Sequence, residues 1–357
     1  MKRHTKYLAV ILLLLVGILS LALAPVREVS RNSFAMNTLI RMSFITDDEG
    51  VLDEAYALLH ELDASLSMYN PSSDISKITA HAGEERVKVP AHVVEAVRDS
   101  LRVYALTEGV FNPLIGAVTR LWKINRQDNT VPSREELDAV LGLSRIDNLE
   151  VNDDSVYLKA KGCVIDLGGI AKGYASKKIA DLVKARGVKS GLIDLGGNIY
   201  AVGRKADGDT WKIGVRNPLD PKGAPELALS VADCAVITSG GYERFKVVDG
   251  KRYTHFFDPK TGESVMSDLL SVTLVTPDGS LGDGLATAFM IAGFDEAVRM
   301  LAKMDDAPGV VFIREKDGVP EILATSNLEG VVFRSAHPVK FVNVNTGSST
   351  VEAHSAH

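Results

Sequence analysis

The amino-acid sequence predicts an α+β protein with a mixed, largely antiparallel sheet and packed helices, preceded by an N-terminal membrane anchor or signal segment. Three observations carry this reading. Apolar residues recur at helical spacing in several segments, short apolar or alternating runs lie between turn signals, and an uncharged apolar stretch follows a basic N-terminus. With 46% hydrophobic residues, 357 residues can bury one large core or two ordinary ones. The formal net charge of -6 and the pI near 5.8 argue against a general nucleic-acid binder, which needs a surplus of lysine and arginine.

The first residues, Met1 to Lys6, are basic, and Tyr7 to Ala24 carry no charge. This reads as an export segment, with length between a signal-peptide core and a full span of roughly 20 residues. Ala22-Leu23-Ala24 has the small-x-small form of a cleavage site, but Pro25 would follow the cut and is a poor residue there. An uncleaved anchor is favoured over secretion after cleavage, with the N-terminus cytoplasmic and the body on the periplasmic face of the inner membrane. Residues 1–31 are read as anchor and linker, 32–325 as one catalytic unit and 326–357 as a C-terminal extension, expected to fray. No glycine or proline linker divides the middle part.

Within the body, Val51 to Ser67 places Leu52, Ala55, Leu58, Leu59, Leu62 and Leu66 on one helical face, and Ala91 to Glu108 repeats the pattern before Gly109. Ser133-Arg-Glu-Glu136 has the form of a capping box opening a helix that ends near Leu141. Val156 to Leu158, Trp211 to Val215, Val247-Val248 and Ser271 to Val275 read as strands, with turns at Asp249-Gly250 and Asp278-Gly279. Val164-Ile-Asp-Leu-Gly-Gly169 and Leu192-Ile-Asp-Leu-Gly-Gly197 flank a helix from about Gly173 to Arg186, suggesting strand, glycine turn, helix, strand, glycine turn. Cys163 and Cys234 lie in apolar runs that read as buried strands. The absence of C-x-x-C and H-E-x-x-H gives no support to a zinc site.

Chemistry concentrates in glycine-bearing segments. Glycines leading into a helix let backbone N–H groups approach an anion, and Lys172, a cation where the helix dipole disfavours one, is easiest to explain with an anion nearby. The plain alternative is a solvated surface lysine. Asp283 and Thr287 stand four apart on one face of a helix expected from Ala286 to Ala292, and their oxygens suit a hard cation such as Mg²⁺. Taken alone, Asp283 reads better as a helix cap. His255, in Tyr253-Thr-His-Phe-Phe-Asp-Pro-Lys-Thr-Gly262, sits before a turn forced by Pro259 and Gly262. Such a histidine can accept a hydroxyl proton or donate to phosphate. Thr238, Ser239 and Gly240 offer hydroxyl and N–H donors, and Arg244 and Arg252 are either phosphate partners or surface ion pairs.

In combination and order these segments resemble the ApbE family of FAD-dependent flavin transferases, from about Met36 to about Leu323. The resemblance implies an ApbE-like, T-fold-related sheet and transfer of FMN from FAD to a serine or threonine hydroxyl of an exported protein, with release of AMP. It implies that Asp283, Thr287 and the Ala171 carbonyl hold Mg²⁺, that His255 and Lys172 work beside the pyrophosphate, and that Asp283 is catalytic through the metal. It further implies that Met36 and Tyr69 pack on the flavin ring, that Gly116 shapes the adenine side, and that Asp166, Thr238, Ser239 and Gly240 belong to the FAD site. Acceptors of the family carry Asp-x-x-Ser/Thr-Gly-Ala-Ser/Thr and belong to membrane redox complexes; this chain has no such segment, so self-modification is not expected. Relatives commonly have acidic residues where this chain has Asn112 and Lys177. The alternatives are a Mg²⁺-dependent FAD pyrophosphatase, with water as acceptor, and a non-enzymatic FAD-binding protein.

Overall fold

The computed structural model describes residues 26–124, 129–344 and 351–352. The expected anchor, residues 7–24, lies outside them, and among the described residues no helix is long and apolar enough to cross a membrane. A ten-stranded sheet forms the centre. Its strands in spatial order are Arg27–Ala35, Thr38–Thr46, Ser190–Leu195, Asn198–Gly203, Cys234–Gly240, Leu269–Thr276, Gly309–Lys316, Val319–Thr325, Val339–Val342 and Val351–Glu352. All neighbours are antiparallel except Val319–Thr325 and Val339–Val342. The sheet is therefore mixed and largely antiparallel, as the sequence predicts.

Strand side chains alternate between faces, and the two faces bury different layers. On one face Ile40, Met42, Phe44, Ile193, Ile237 and Leu274 join the main core with the helices Gly50–Leu66, Ala171–Ala185 and Gly279–Ala292. On the other face Val236, Val311 and Ile313 pack with Ile213, Leu227 and Leu229. Those last residues belong to a three-stranded sheet of Val332–Ser335, Pro225–Val231 and Trp211–Arg216.

Several expected elements form where their patterns place them. The helix Gly50–Leu66 buries Leu52, Ala55, Leu59, Leu62 and Leu66. The helix Ala91–Leu106 stops before Glu108 and Gly109, both at positive φ. Ser133 and Glu136 complete both halves of the capping box that opens Arg134–Leu141. Asp249 and Gly250, at φ 50° and 75°, turn the hairpin between Phe245–Val248 and Lys251–Thr254.

Four expectations are corrected. Val164 to Leu167 is a buried extended segment, not a strand: the Asp166 N–H donates to the Pro113 carbonyl, outside any sheet. Cys163 likewise lies outside any strand, buried, with its thiol on the Leu143 carbonyl, while Cys234 is only half-buried at the start of its strand. The helix expected from Ala286 begins at Gly279, with Asp278 as its cap accepting from the Leu281 N–H. Its glycines hide the helical pattern in the sequence. They are required by packing, since a Cβ on Gly279 would lie 2.4 Å from the Gly173 carbonyl oxygen. Finally, the C-terminal extension does not fray from Ser326: Val332–Ser335 and Val339–Val342 pair into the two sheets, and Val339 and Phe341 are buried.

Candidate active site

A cavity of about 640 Å³ opens at the end of the central sheet, where the Ala171–Ala185 and Gly279–Ala292 helices, the Gly116–Trp122 helix and the Phe245–Thr254 hairpin converge. Its volume is within the range that holds a cofactor-sized ligand. Asp166, Lys172, Ser239, His255, Asp283, Thr287 and Tyr69 all line it. Residues separated by more than two hundred positions in sequence thus meet at one site.

Asp283 lies in the middle of its helix, 3% exposed, and its Oδ2 accepts the Gly173 N–H at 2.9 Å. It therefore caps the neighbouring Ala171–Ala185 helix, which begins one residue before Lys172, and not its own. Close approach makes this possible: a Cβ on Gly173 would stand 2.1 Å from the Gly279 carbonyl oxygen and 2.6 Å from the Asp283 Cβ. One helical turn on, the Thr287 hydroxyl donates to the Gly169 carbonyl at 3.3 Å. Among the described residues no three His, Cys, Asp or Glu side chains cluster as metal ligands. The donor set is instead the Asp283 carboxylate and the Thr287 hydroxyl beside the Gly169 carbonyl, all oxygen, which fits a hard cation that takes its remaining ligands from water and phosphate.

Asp166 opens the glycine turn: its Oδ1 accepts the Gly168 N–H at 2.8 Å and its Oδ2 accepts the Thr119 hydroxyl at 2.8 Å. Gly168 and Gly169 then lead into the helix whose first turn carries Ala171 and Lys172. Gly168, Gly169 and Lys172 line the cavity together at the positive end of this helix, an arrangement suited to a phosphate.

The His255 ring is half-buried, packs against Phe256 with centroids 4.2 Å apart, and shares Nδ1 with the Arg244 carbonyl at 3.0 Å. A carbonyl only accepts, so Nδ1 carries the proton and Nε2 keeps its lone pair. Burial is the main cause that pushes the imidazole down to about 4; the charges of Arg244 and Lys172 add to it, while the carbonyl bond opposes it. The ring is therefore neutral at physiological pH, a base rather than an acid. Asp258 shapes the turn behind it, accepting the Lys260 N–H on Oδ1.

Other expected site residues do not reach the cavity. Thr238 follows Val236 on the opposite face of the sheet, where its hydroxyl meets that of Thr273 at 2.8 Å. Gly240 shares that face, under the Tyr242 ring. Met36, at φ 48° in the first hairpin turn, packs on the core with its N–H on the Asp63 carboxylate at 3.0 Å. Gly116 is a packing position: a Cβ there would lie 2.6 Å from Val164 Cγ1. Ala171 stands in the first helical turn beside the cavity wall but not on it. Of the two glycine turns, only Gly168-Gly169 lines the cavity; Gly196-Gly197 joins two strands beside Thr38. Arg244 lines the cavity, whereas Arg252 donates to the Gly241 carbonyl and stacks 3.8 Å from the Phe245 ring centroid.

The cavity also holds residues that motif reading passed over: Thr119, Arg120, Lys123 and Glu243. Glu243 sits inside the segment Thr238 to Arg244 and was legible there; the other three lie on a short helix and its exit, with no motif to mark them. Asn112 lines the cavity too, donating from Nδ2 to the Ser144 carbonyl and accepting the Leu114 N–H. An aspartate at 112 would leave the Ser144 carbonyl without that donor. Lys177 points elsewhere, paired with Asp181 at 2.9 Å.

Known proteins share this architecture. The ApbE family model matches residues 36–312. The FAD:protein FMN transferase of Treponema pallidum (strain Nichols) is 34% identical over 310 residues, covering 80% of this chain and 84% of that protein. The one from Vibrio cholerae serotype O1 is 28% identical, covering 85% and 92%. Among solved structures, the flavin transferase ApbE from Vibrio cholerae superposes with a TM-score of 0.77 at 27% identity, over 86% of this chain and 100% of that one. The apo flavinyl transferase ApbE of Pseudomonas stutzeri gives 0.77 at 25% identity, over 87% and 98%. With the family model spanning well over half of its length and the fold shared over most of it, the chain is a member of the ApbE family and, by that membership, a transferase.

Proposed function

We propose that this chain is an FAD:protein FMN transferase that moves the FMN moiety of FAD onto a serine or threonine hydroxyl of an exported or membrane redox protein and releases AMP. The observation that carries the reading is the convergence of a neutral His255, Lys172, the Gly168-Gly169 turn and the Asp283–Thr287 pair on one cavity. His255 Nε2 takes the proton of the acceptor hydroxyl as its oxygen bonds to the FMN phosphorus. The bond from that phosphorus to the bridging oxygen breaks, and the oxygen leaves with AMP. Lys172, at the positive end of its helix, stabilises the charge that builds on the phosphate oxygens. Asp283 and Thr287 on the cavity lining would hold Mg²⁺, with the Ala171 carbonyl, which stands beside that lining, as the third ligand that the family resemblance implies, and the ion would supply further charge neutralisation.

The acceptor is a segment of the form Asp-x-x-Ser/Thr-Gly-Ala-Ser/Thr, and the anchor read at residues 7–24 would keep the enzyme on the periplasmic face of the membrane, near such partners. The test is stoichiometry: the full chain with FAD and Mg²⁺ should release one AMP per flavin-bearing acceptor, and little AMP without acceptor. Equal AMP and free FMN regardless of acceptor would make it the pyrophosphatase instead. Bound, unchanged FAD would make it a flavin-binding protein.

A further inference from the structure

Lys246 is 7% exposed, in the middle of the hairpin that ends on His255. Its Nζ donates to the Trp122 carbonyl at 2.8 Å and to the Thr130 carbonyl. A buried ammonium is tolerated only when hydrogen-bonded, and the carbonyls that end the Gly116–Trp122 helix carry partial negative charge. Lys246 Nζ also stands 5.7 Å from the Trp122 ring centroid. That ring is fixed on its other sides: Nε1 donates to the Gly262 carbonyl at 2.7 Å, and Phe257 and Tyr253 pack at centroid distances of 5.7 Å and 5.3 Å.

Position in the hairpin gives this contact a consequence. Lys246 and Tyr253 are directly opposed, Phe245 and Thr254 form the next pair, and Arg244 and His255 follow at the base, joined by the Nδ1–carbonyl bond. Both members of the Lys246–Tyr253 pair touch Trp122. Trp122 in turn precedes Lys123 and Ile124, which line the cavity with His255. A hydrogen-bonded lysine and a stacked ring thus tie the hairpin that leads to His255 to the end of the Gly116–Trp122 helix, whose residues line the same cavity.

We propose that Lys246 is a positioning residue for His255: seated on the Trp122 carbonyl, it fixes the hairpin against the Gly116–Trp122 helix and so sets the Arg244 carbonyl that selects the His255 tautomer. The proposal deepens the transferase reading and rests on it only for the role given to Nε2. Its test therefore includes a readout independent of turnover. In the full chain labelled with ¹⁵N-histidine and free of FAD, the wild-type His255 ring should show one tautomer, protonated at Nδ1. Lys246→Met should show exchange between tautomers; kcat for flavin transfer should fall about tenfold to a hundredfold while KM for FAD moves less than about threefold, the pattern of a misplaced catalytic group. Should Lys246→Met fail to fold, Lys246→Gln, which keeps a donor but not the charge or the reach, reads the same quantities. A variant that is merely less stable, with the His255 tautomer unchanged, overturns the proposal. Were the wild type to transfer no flavin, the transferase reading would fail while the tautomer comparison still decided the role of Lys246.

Discussion

Asp283 has one observed task and one that the proposed function gives it, and a substitution can separate them. Its carboxylate accepts the Gly173 N–H and presents the charged oxygens that suit a cation. Asp283→Asn keeps an acceptor for that N–H, so stability should hardly change while transfer falls on the order of a hundredfold or more. Asp283→Ala removes both and should cost a further 0.5–2 kcal/mol, about the value of a lost helix cap. Comparing urea midpoints and transfer rates of the two variants checks the division.

His255 makes a signed prediction about pH. Its imidazole is held near 4, against an ordinary value of 6.5. Between those values the unfolded chain binds a proton that the folded chain refuses, so stability rises with pH across the window and is lost as pH falls from about 6.5 towards about 4. In His255→Gln this contribution to the slope should vanish, which denaturant midpoints at pH 7, 5.5 and 4.5 would show. The same neutrality predicts that the transfer rate stays level on lowering pH to about 5, where an ordinary histidine base would already be mostly protonated. Removing the base should slow transfer by about 10²–10⁴.

Secondary structure decides which neighbours in sequence can act together. Thr238 and Ser239 are adjacent, yet strand alternation sends Ser239 to the cavity and Thr238 to the opposite layer. Ser239→Ala should weaken FAD binding by about threefold to tenfold, the worth of one hydrogen bond, measured by titration of flavin fluorescence. Thr238→Val should leave affinity unchanged and lower stability instead, because the Thr273 hydroxyl loses its partner. The crossing of the Ala171–Ala185 and Gly279–Ala292 helices is equally strict. Gly173→Ala should destabilise by about 1–3 kcal/mol through overpacking and displace Asp283, seen as a lower melting temperature together with lost activity.

Most of the architecture was legible because it follows local rules: the apolar faces of Gly50–Leu66 and Ala91–Leu106, the capping box at Ser133 and the Asp249-Gly250 turn each announce themselves. The site was legible as motifs but not as geometry. Spacing puts Asp283 and Thr287 on one helical face, but only tertiary packing brings Gly173 and Gly169 to them. The apolar run Val164 to Leu167 imitates a strand because a buried extended segment needs the same residues. Thr238, Gly240 and Met36 stand beside cavity-lining residues in sequence or in fold, and burial pattern alone does not say which face a strand gives to a cavity. Arg120 and Lys123 carry no motif, and their place becomes visible only when Trp122 is seen packed against the His255 hairpin.

The molecule as a whole is a sheet beside a cavity lined by both His255 and the Asp283–Thr287 pair. That arrangement makes one measurement decisive: the intact mass of an acceptor carrying Asp-x-x-Ser/Thr-Gly-Ala-Ser/Thr after incubation with the full chain, FAD and Mg²⁺. The account predicts a gain of one FMN residue per acceptor, lost with EDTA and with Asp283→Asn. An acceptor of unchanged mass beside consumed FAD, or a gain that survives Asp283→Asn, would contradict it.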